Sequence, residues 1–170
     1  QYIDSETETI ESMNNLIEWL PNNLPAEKKT GIVHGDYSLT NVMIGKNDPN
    51  VIAILDWELS TLGDPCADFN YHCLQYTMNA KLADKEYCKA QGIPVIDDYV
   101  KMYSEKINID LTEEWDLYSA YNLFKLAGIL QGILGRVRDG TAAHENAAER
   151  ASGVKNLSDT AWALVEKNFI

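Results

Sequence analysis

Three short apolar runs lie close together in the first part of the chain, and strand signals stop beyond Pro65. The runs are Gly31–Val33, Val42–Ile44 and Val51–Leu55. Each is too short for a helix and lies beside turn-forming residues, so each predicts a β-strand. Gly, Asn, Asp and Pro residues separate the second run from the third, which predicts a β-hairpin. The chain can therefore form only a small sheet.

The other apolar residues recur at helical spacing. A capping box from Ser5 to Glu8 opens the first predicted helix, and Pro21 and Pro25 end it. Helices are predicted over residues 5–20, 67–83, from Asp97 and Asp98 to about Ile107, from Thr112 to about Arg138, and over 145–167. The fourth is apolar nearly all round, so we expect it to be buried and central. The predicted class is α+β, mostly α.

Composition excludes several classes of protein. A chain of 170 residues that is 45% apolar is long enough for one globular domain. The net charge of −12 argues against nucleic acid or an anionic membrane as a partner, and no apolar run approaches the length of a membrane helix. Cys66, Cys73 and Cys88 lack CxxC spacing and are odd in number. This argues against a disulfide framework or zinc finger and favours the cytoplasm or another reducing intracellular compartment.

The residues most suited to chemistry follow the predicted strands. Asp36 and Asn41 lie five residues apart in a loop, and Asp56 follows the third strand. We expect the three side chains to meet in one cleft. Asn41 and Asp56 carry hard oxygen ligands of the kind that Mg²⁺ prefers, with nucleotide phosphates completing the shell. Asp36 is left to accept the proton of a substrate hydroxyl as that hydroxyl attacks the γ-phosphate of ATP.

The string HGDYSLTN, followed by DWE, resembles the catalytic core of the aminoglycoside phosphotransferase and choline kinase-like family, which has a protein kinase-like fold. In that family HGDxxxxN corresponds to the protein-kinase HRDxxxxN loop, and the Asp of DWE to that of DFG. The resemblance covers most of the chain. It implies that Asp36 is the catalytic base, that Asn41 and Asp56 bind magnesium, and that His34 supports the loop. Glu58 is expected to assist near the metal.

The following segment extends the resemblance. Gly63-Asp64-Pro65 through Asp68 is similar to the family's GDPxxD segment, whose last Asp is expected to brace the catalytic loop by hydrogen bonding its backbone. The longer string DWELSTLGDP most resembles kinase-like domains found fused to, or alongside, acyl-CoA dehydrogenases. Members of that group often carry a basic residue two positions after the catalytic Asp, where this chain has Ser38. The resemblance does not specify which small molecule accepts the phosphate.

The segment before the catalytic loop is short. Only 33 residues precede His34, the chain opens at Gln1, and neither a GxGxxG-like loop nor a strand Lys with a helix Glu partner occurs among them. In the family the nucleotide-binding lobe comes first. We therefore expect residues 1–170 to be the C-terminal catalytic lobe, with the N-terminal lobe of the same chain as a missing partner. Such a fragment is expected to transfer phosphate poorly or not at all.

The sequence thus predicts an ATP- and Mg²⁺-dependent phosphotransferase that acts on a hydroxyl of a small metabolite. Two other functions stay open. A pseudokinase or binding module would keep the fold without turnover, although such proteins usually lose the base or a metal ligand, and neither is lost here. A hydrolase would use the same carboxylates and metal to activate water, and it would need no nucleotide-binding lobe.

Overall fold

Helices dominate the computed structural model, which describes residues 2–24, 29–143 and 146–170. The strands are β1 (Gly31–Val33), β2 (Val42–Ile44), β3 (Val51–Ile54) and β4 (Thr61–Gly63). The helices are α1 (Tyr2–Ser5), α2 (Glu11–Asn23), α3 (Pro65–Cys73), α4 (Gln75–Met78), α5 (Ala80–Ala83), α6 (Lys85–Ala90), α7 (Ile96–Ile107), α8 (Trp115–Arg138), α9 (Ala147–Arg150) and α10 (Val154–Phe169). Single 3₁₀ turns at Leu39–Asn41 and Trp57–Leu59 lie before β2 and after β3. The predicted α+β, mostly α class is confirmed.

The strands form two separate antiparallel pairs. β2 pairs with β3, with Val42 opposite Ile54, which confirms the predicted hairpin. β1 pairs with β4, and Gly31 lies opposite Gly63. β4 was not predicted, because three residues that end in glycine beside an Asp-Pro turn carry no strand signal. This second pairing brings together the two ends of the segment that holds the candidate catalytic residues.

The chain divides into two compact units. The unit formed by residues 26–118 has a core of buried side chains from α3, α8 and the segment between α7 and α8, with α7 packed against it. Phe69 of α3 lies at its centre and stacks on Tyr103 with the ring centroids 3.8 Å apart. Close stacking of this kind fixes both the position and the rotation of α3. The face of α3 that carries polar residues is therefore held in one orientation.

The other unit consists of residues 1–25 and 119–170. Here α2 packs against α10, and fully buried side chains include Met13 and Leu16 of α2 and Val165 of α10. Two buried polar side chains of this unit donate hydrogen bonds: Ser12 donates to the Asp159 carboxylate at 2.7 Å, and the Gln131 amide nitrogen donates to the Ser5 carbonyl at 2.6 Å. Its packing is that of an ordinary helical core.

The first predicted helix is confirmed over residues 11–20, but its predicted start and its capping box are wrong. The segment forms two helices, because α1 ends at Ser5 and α2 begins at Glu11. The Ser5 hydroxyl donates to the Tyr2 carbonyl instead of capping a following helix. Pro21 lies inside the last turn of α2, which ends two residues later at Asn23, and Pro25 lies outside the described residues.

The helix predicted over residues 67–83 is three short helices, α3 to α5. The break before α5 has a local cause, because the Asn79 side chain accepts a hydrogen bond from the Lys81 N–H and caps a new helix. α6 was not predicted; the Asp84 carboxylate caps it by accepting from the Glu86 and Tyr87 N–H groups. Short side chains that compete for backbone donors thus divide this stretch.

The remaining helix starts also differ from the prediction. Asp97 and Asp98 lie in the first turn of α7 and do not cap it. α8 begins at Trp115, because the Thr112 N–H donates to the Asp110 carboxylate in a preceding turn. The long final helix begins at residue 154, and Glu145, its predicted start, lies outside the described residues.

The long helix α8 is buried or half-buried along most of its length, which agrees with the burial predicted for it. Only Ile129, Arg136 and Arg138 are exposed among its residues. Its apolar character raises the question of membrane insertion. In the three ranges that the structure describes, no helix combines the length and the apolarity needed to cross a membrane.

All three cysteines are buried. Burial raises the pKa of the Cys73 thiol to about 12, because the thiolate would lose its hydration. At about pH 8 we expect alkylation of Cys73 in the folded protein to be at least ~100-fold slower than in urea, since only the thiolate reacts. Peptide-resolved mass spectrometry after timed alkylation measures this. Equal rates in both states would show that the thiol is accessible.

Candidate active site

The loop that follows β1 makes a sharp turn at Gly35. Its φ of +83° lies in the left-handed region that glycine adopts without strain. A Cβ at this position would also lie 2.5 Å from the carbonyl oxygen of Leu59. Both the backbone conformation and the close contact therefore require glycine. The turn directs residues 36–41 toward the end of β3.

Asp68 of α3 holds the start of this loop. One of its carboxylate oxygens accepts the Gly35 N–H at 3.0 Å, and the other accepts the His34 N–H. Hydrogen bonds to an ionised acceptor are stronger than bonds between neutral groups. Two consecutive backbone donors thus bond to one side chain, which is the contact that the family resemblance implies for Asp68.

The position of α3 is fixed at its N-terminus. Pro65 is its first residue, where the missing N–H needs no partner. The Asp64 carboxylate accepts the Cys66 N–H at 2.9 Å and the Tyr118 hydroxyl at 2.7 Å. Burial raises the pKa of the Tyr118 phenol far above its usual value, and the bond to Asp64 adds to this effect, so this donor stays protonated. The helix that carries Asp68 is therefore anchored from its first turn.

His34 joins the loop to the end of β3. The imidazole is buried, with 3% of its surface exposed. Its Nε2 lies 2.7 Å from the Leu55 carbonyl oxygen, which can only accept, so Nε2 carries the hydrogen. Nδ1 accepts the Asp36 N–H at 3.2 Å. Both ring nitrogens of His34 thus bond to the backbone, with the hydrogen on Nε2. The ring of Trp57 packs beside the imidazole, with the two ring centroids 4.8 Å apart.

Asn41 closes the loop onto Asp36. Its Nδ2 donates to the Asp36 carbonyl at 3.0 Å and to the Asp36 carboxylate oxygen Oδ2 at 3.1 Å. Because the amide nitrogen makes both bonds, the amide oxygen of Asn41 stays available for a cation. The backbone carbonyl of Asn41 accepts the Leu55 N–H at 2.8 Å. The same residue therefore contacts the candidate base and the end of β3.

Asp56 directly follows Leu55, whose N–H bonds to the Asn41 carbonyl and whose carbonyl bonds to His34. Its backbone is left-handed, with φ 64° and ψ 55°, and its side chain is exposed. Among the residues that the structure describes, none bonds or forms an ion pair with the Asp56 carboxylate. The structure thus brings Asp56, with its side chain exposed, to the Asn41 end of the loop.

The Asn41 amide oxygen and the Asp56 carboxylate suit a magnesium ion. Both are hard oxygen donors, and Mg²⁺ is typically held by one or two carboxylates together with water and phosphate oxygens. Within the described part of the chain, no group of three or more His, Cys, Asp or Glu residues could hold a metal ion. Asn41 and Asp56 would therefore form a partial shell for such an ion rather than a closed cage. Glu58 lies two residues beyond Asp56, exposed in the Trp57–Leu59 turn.

Tyr71 is a site residue that the sequence interpretation missed. Its hydroxyl donates to the Asp36 oxygen Oδ1 at 2.9 Å. Burial raises the pKa of the Tyr71 phenol far above its usual value, and the bond to Asp36 adds to this effect, so Tyr71 remains a donor at ordinary pH. Its spacing of three residues from Asp68 places both on one face of α3, and that spacing is the signal that could have identified it.

An aromatic group lies beside Asp36 in the same unit. The Tyr37 ring is 6.1 Å from the ring of His34 and 5.2 Å from that of His72. His72 Nε2 lies 3.2 Å from the Tyr99 hydroxyl, and burial lowers the pKa of His72. These contacts place His72 in an aromatic cluster with Tyr37 and Tyr99.

Comparison with known proteins identifies the family. The model of the phosphotransferase enzyme family, APH, matches residues 1–120. A crystal structure from Ralstonia eutropha JMP134, assigned as an aminoglycoside phosphotransferase, superposes with a TM-score of 0.89 at 40% identity and covers 98% of this chain. The chain belongs to the phosphotransferase enzyme family and has its kinase-like fold, as the sequence resemblance implied.

Acyl-CoA dehydrogenase family members are also similar. Family member 10 of Mus musculus is 37% identical over 173 residues, which cover 98% of this chain and 16% of that protein. Family member 11 of Homo sapiens is 32% identical over 174 residues, covering 99% of this chain and 22% of that protein. The chain therefore spans about a fifth or less of these relatives, and it spans 52% of the Ralstonia chain.

Proposed function

We propose that this chain supplies the catalytic base and the magnesium ligands of an ATP-dependent kinase that phosphorylates a hydroxyl of a small metabolite. Asp36 accepts the proton of the acceptor hydroxyl as its oxygen bonds to the γ-phosphorus and the bond from that phosphorus to the ADP oxygen breaks. Asn41 and Asp56 hold the Mg²⁺. When bound, this ion neutralises charge on the phosphates.

The observation that carries the proposal is the hydrogen bonding around Asp36. A carboxylate has about four acceptor positions, and Tyr71 and Asn41 occupy one on each oxygen. The side chain is thus held in place while each oxygen can still accept a hydroxyl proton. Asn41, which bonds to Asp36 through its amide, also accepts the Leu55 N–H through its carbonyl, and Asp56 follows Leu55 directly. The candidate base therefore lies beside the two candidate metal ligands.

For the acceptor we propose a hydroxyacyl-CoA thioester. The support is the similarity to proteins named as acyl-CoA dehydrogenase family members, whose chains are several times longer than this one. The test uses the full-length protein that carries this chain, with ATP, Mg²⁺ and a panel of hydroxyacyl-CoA thioesters and unrelated sugars and amino alcohols. Transfer of labelled γ-phosphate to a thioester supports the proposal. Release to water alone would instead indicate a hydrolase, and ATP binding without turnover a pseudokinase.

Replacing Asp56 with alanine tests the metal assignment. We expect the Mg²⁺ concentration that gives half-maximal rate to rise at least ~10-fold, because one of two protein ligands is lost. Initial rates measured over a magnesium titration at constant ATP report this. Asp48→Asn is a suitable control, because it alters an exposed carboxylate in the β2–β3 turn. An unchanged magnesium dependence in Asp56→Ala would reject Asp56 as a ligand.

A further inference from the structure

One face of α3 contacts the catalytic loop at successive residues. Asp68 bonds to the backbone of His34 and Gly35, and Tyr71 bonds to the side chain of Asp36. The two α3 residues are three positions apart, so they project from the same side of the helix. The helix thus holds the loop backbone with one residue and the Asp36 carboxylate with the other.

The two contacts differ in what they control. The bonds from Asp68 fix where the loop backbone lies, but they leave the Asp36 side chain free to rotate. The terminal torsion of an aspartate is broad and roughly two-fold, so a single hydrogen bond to one oxygen does not fix the plane of its carboxylate. Asn41 provides such a single bond, to Oδ2. Tyr71 adds a donor to the other oxygen, Oδ1, and two donors on different oxygens define the plane.

We propose that Tyr71 is a positioning residue for Asp36, an inference that rests on the function proposed above. Its hydroxyl holds the carboxylate plane in the orientation that leaves an accepting lone pair for the substrate hydroxyl. Tyr71 acts through Asp36 and not by contact with the reactants. Removing the hydroxyl therefore lowers the rate of the chemical step and leaves substrate affinity unchanged.

The kinetic test compares Tyr71→Phe with Tyr76→Phe in the full-length protein, using ATP, Mg²⁺ and the hydroxyacyl-CoA thioesters. The control removes a hydroxyl that donates to the Pro94 carbonyl at 2.8 Å on an exposed part of the same unit. We expect kcat of Tyr71→Phe to fall about 10- to 30-fold, because one hydrogen bond to a charged group is lost. The KM values for both substrates should stay within about twofold of those of the wild-type protein. In an Asp36→Asn background, Tyr71→Phe should change the residual rate by less than about twofold, because its effect passes through Asp36.

A spectroscopic measurement tests the same role without turnover. The protein is labelled with carbon-13 at aspartate carboxyl carbons, and the Asp36 resonance is assigned by its loss in Asp36→Asn. We expect this resonance to shift in Tyr71→Phe and to stay in place in Tyr76→Phe. An Asp36 resonance that does not respond to Tyr71→Phe overturns the inference whether or not the protein is active.

The outcomes separate this inference from the proposed function. Activity that survives Asp36→Asn rejects the proposed function, and the carboxyl resonance then decides whether Tyr71 positions Asp36. In a second outcome the wild-type protein is active, Asp36→Asn abolishes this activity, and Tyr71→Phe and Tyr76→Phe have equal kcat values. This outcome rejects the role of Tyr71 and leaves the proposed function intact. A rise in KM with unchanged kcat would also overturn it, because it would indicate a substrate contact.

Discussion

Replacing Asp36 with asparagine is expected to lower kcat for phosphate transfer by about a thousandfold, the scale of a lost general base. Asparagine has nearly the same shape, but its amide cannot take the proton of the acceptor hydroxyl. The KM for ATP should stay within about twofold, because the proposed metal ligands, Asn41 and Asp56, are unaltered. Steady-state kinetics of the full-length protein with a hydroxyacyl-CoA acceptor measure both constants.

The control for this substitution is Asp48→Asn, which makes the same chemical change in the exposed turn of the hairpin. Thermal unfolding of both variants separates loss of chemistry from loss of fold. This matters because Tyr71 and Asn41 donate to different oxygens of Asp36, and an asparagine at position 36 can accept only one of those bonds. Comparable kcat values for the two variants would remove Asp36 from the role of base.

Replacing Asp68 with alanine is expected to lower both stability and activity. Two backbone N–H groups lose a charged acceptor, which should cost about 3 kcal/mol of the free energy of unfolding. The turn at Gly35 also loses the contact that fixes it, so kcat should fall at least ~100-fold through misplacement of Asp36. Urea unfolding gives the first quantity, and steady-state kinetics give the second.

Asp84→Ala is the matched control for Asp68→Ala. The Asp84 carboxylate likewise accepts two backbone N–H groups, from Glu86 and Tyr87, but it caps α6 outside the candidate site. Loss of this cap should cost about 1 kcal/mol and leave kcat unchanged. If Asp68→Ala also retained wild-type kcat, the bonds from Asp68 to the loop would have no part in positioning Asp36.

The fold class and the hairpin were predictable from the sequence because they depend on local patterns. β2 and β3 are short apolar runs joined by turn-forming residues. The pairing of β1 with β4 was not predictable in this way, since about 30 residues separate the partners and Thr61–Gly63 has no periodic signal. The helix breaks at Asn79 and Asp84 depend on side chains that bond to backbone N–H groups, a competition that apolar spacing does not reveal.

The candidate site was predictable where a linear motif marks it. The spacing of Asp36, Asn41 and Asp56 was visible in the sequence, whereas their catalytic and metal-binding roles stay predictions. The bonds from Asn41 and His34 to Leu55 were not visible, because they join the loop to a backbone whose path only the folded chain defines. Tyr71 was missed for a similar reason. Its helix was predicted, but the partner of one tyrosine hydroxyl depends on three-dimensional packing.

The left-handed backbone at Asp56 has a consequence for how this chain can change. A residue other than glycine in that conformation costs about 1 kcal/mol or more, and glycine avoids the cost. Glycine at this position would therefore favour folding while removing the carboxylate proposed to bind Mg²⁺. Stability and metal binding thus compete at a single residue, and selection for a more robust fold alone would act against the proposed chemistry.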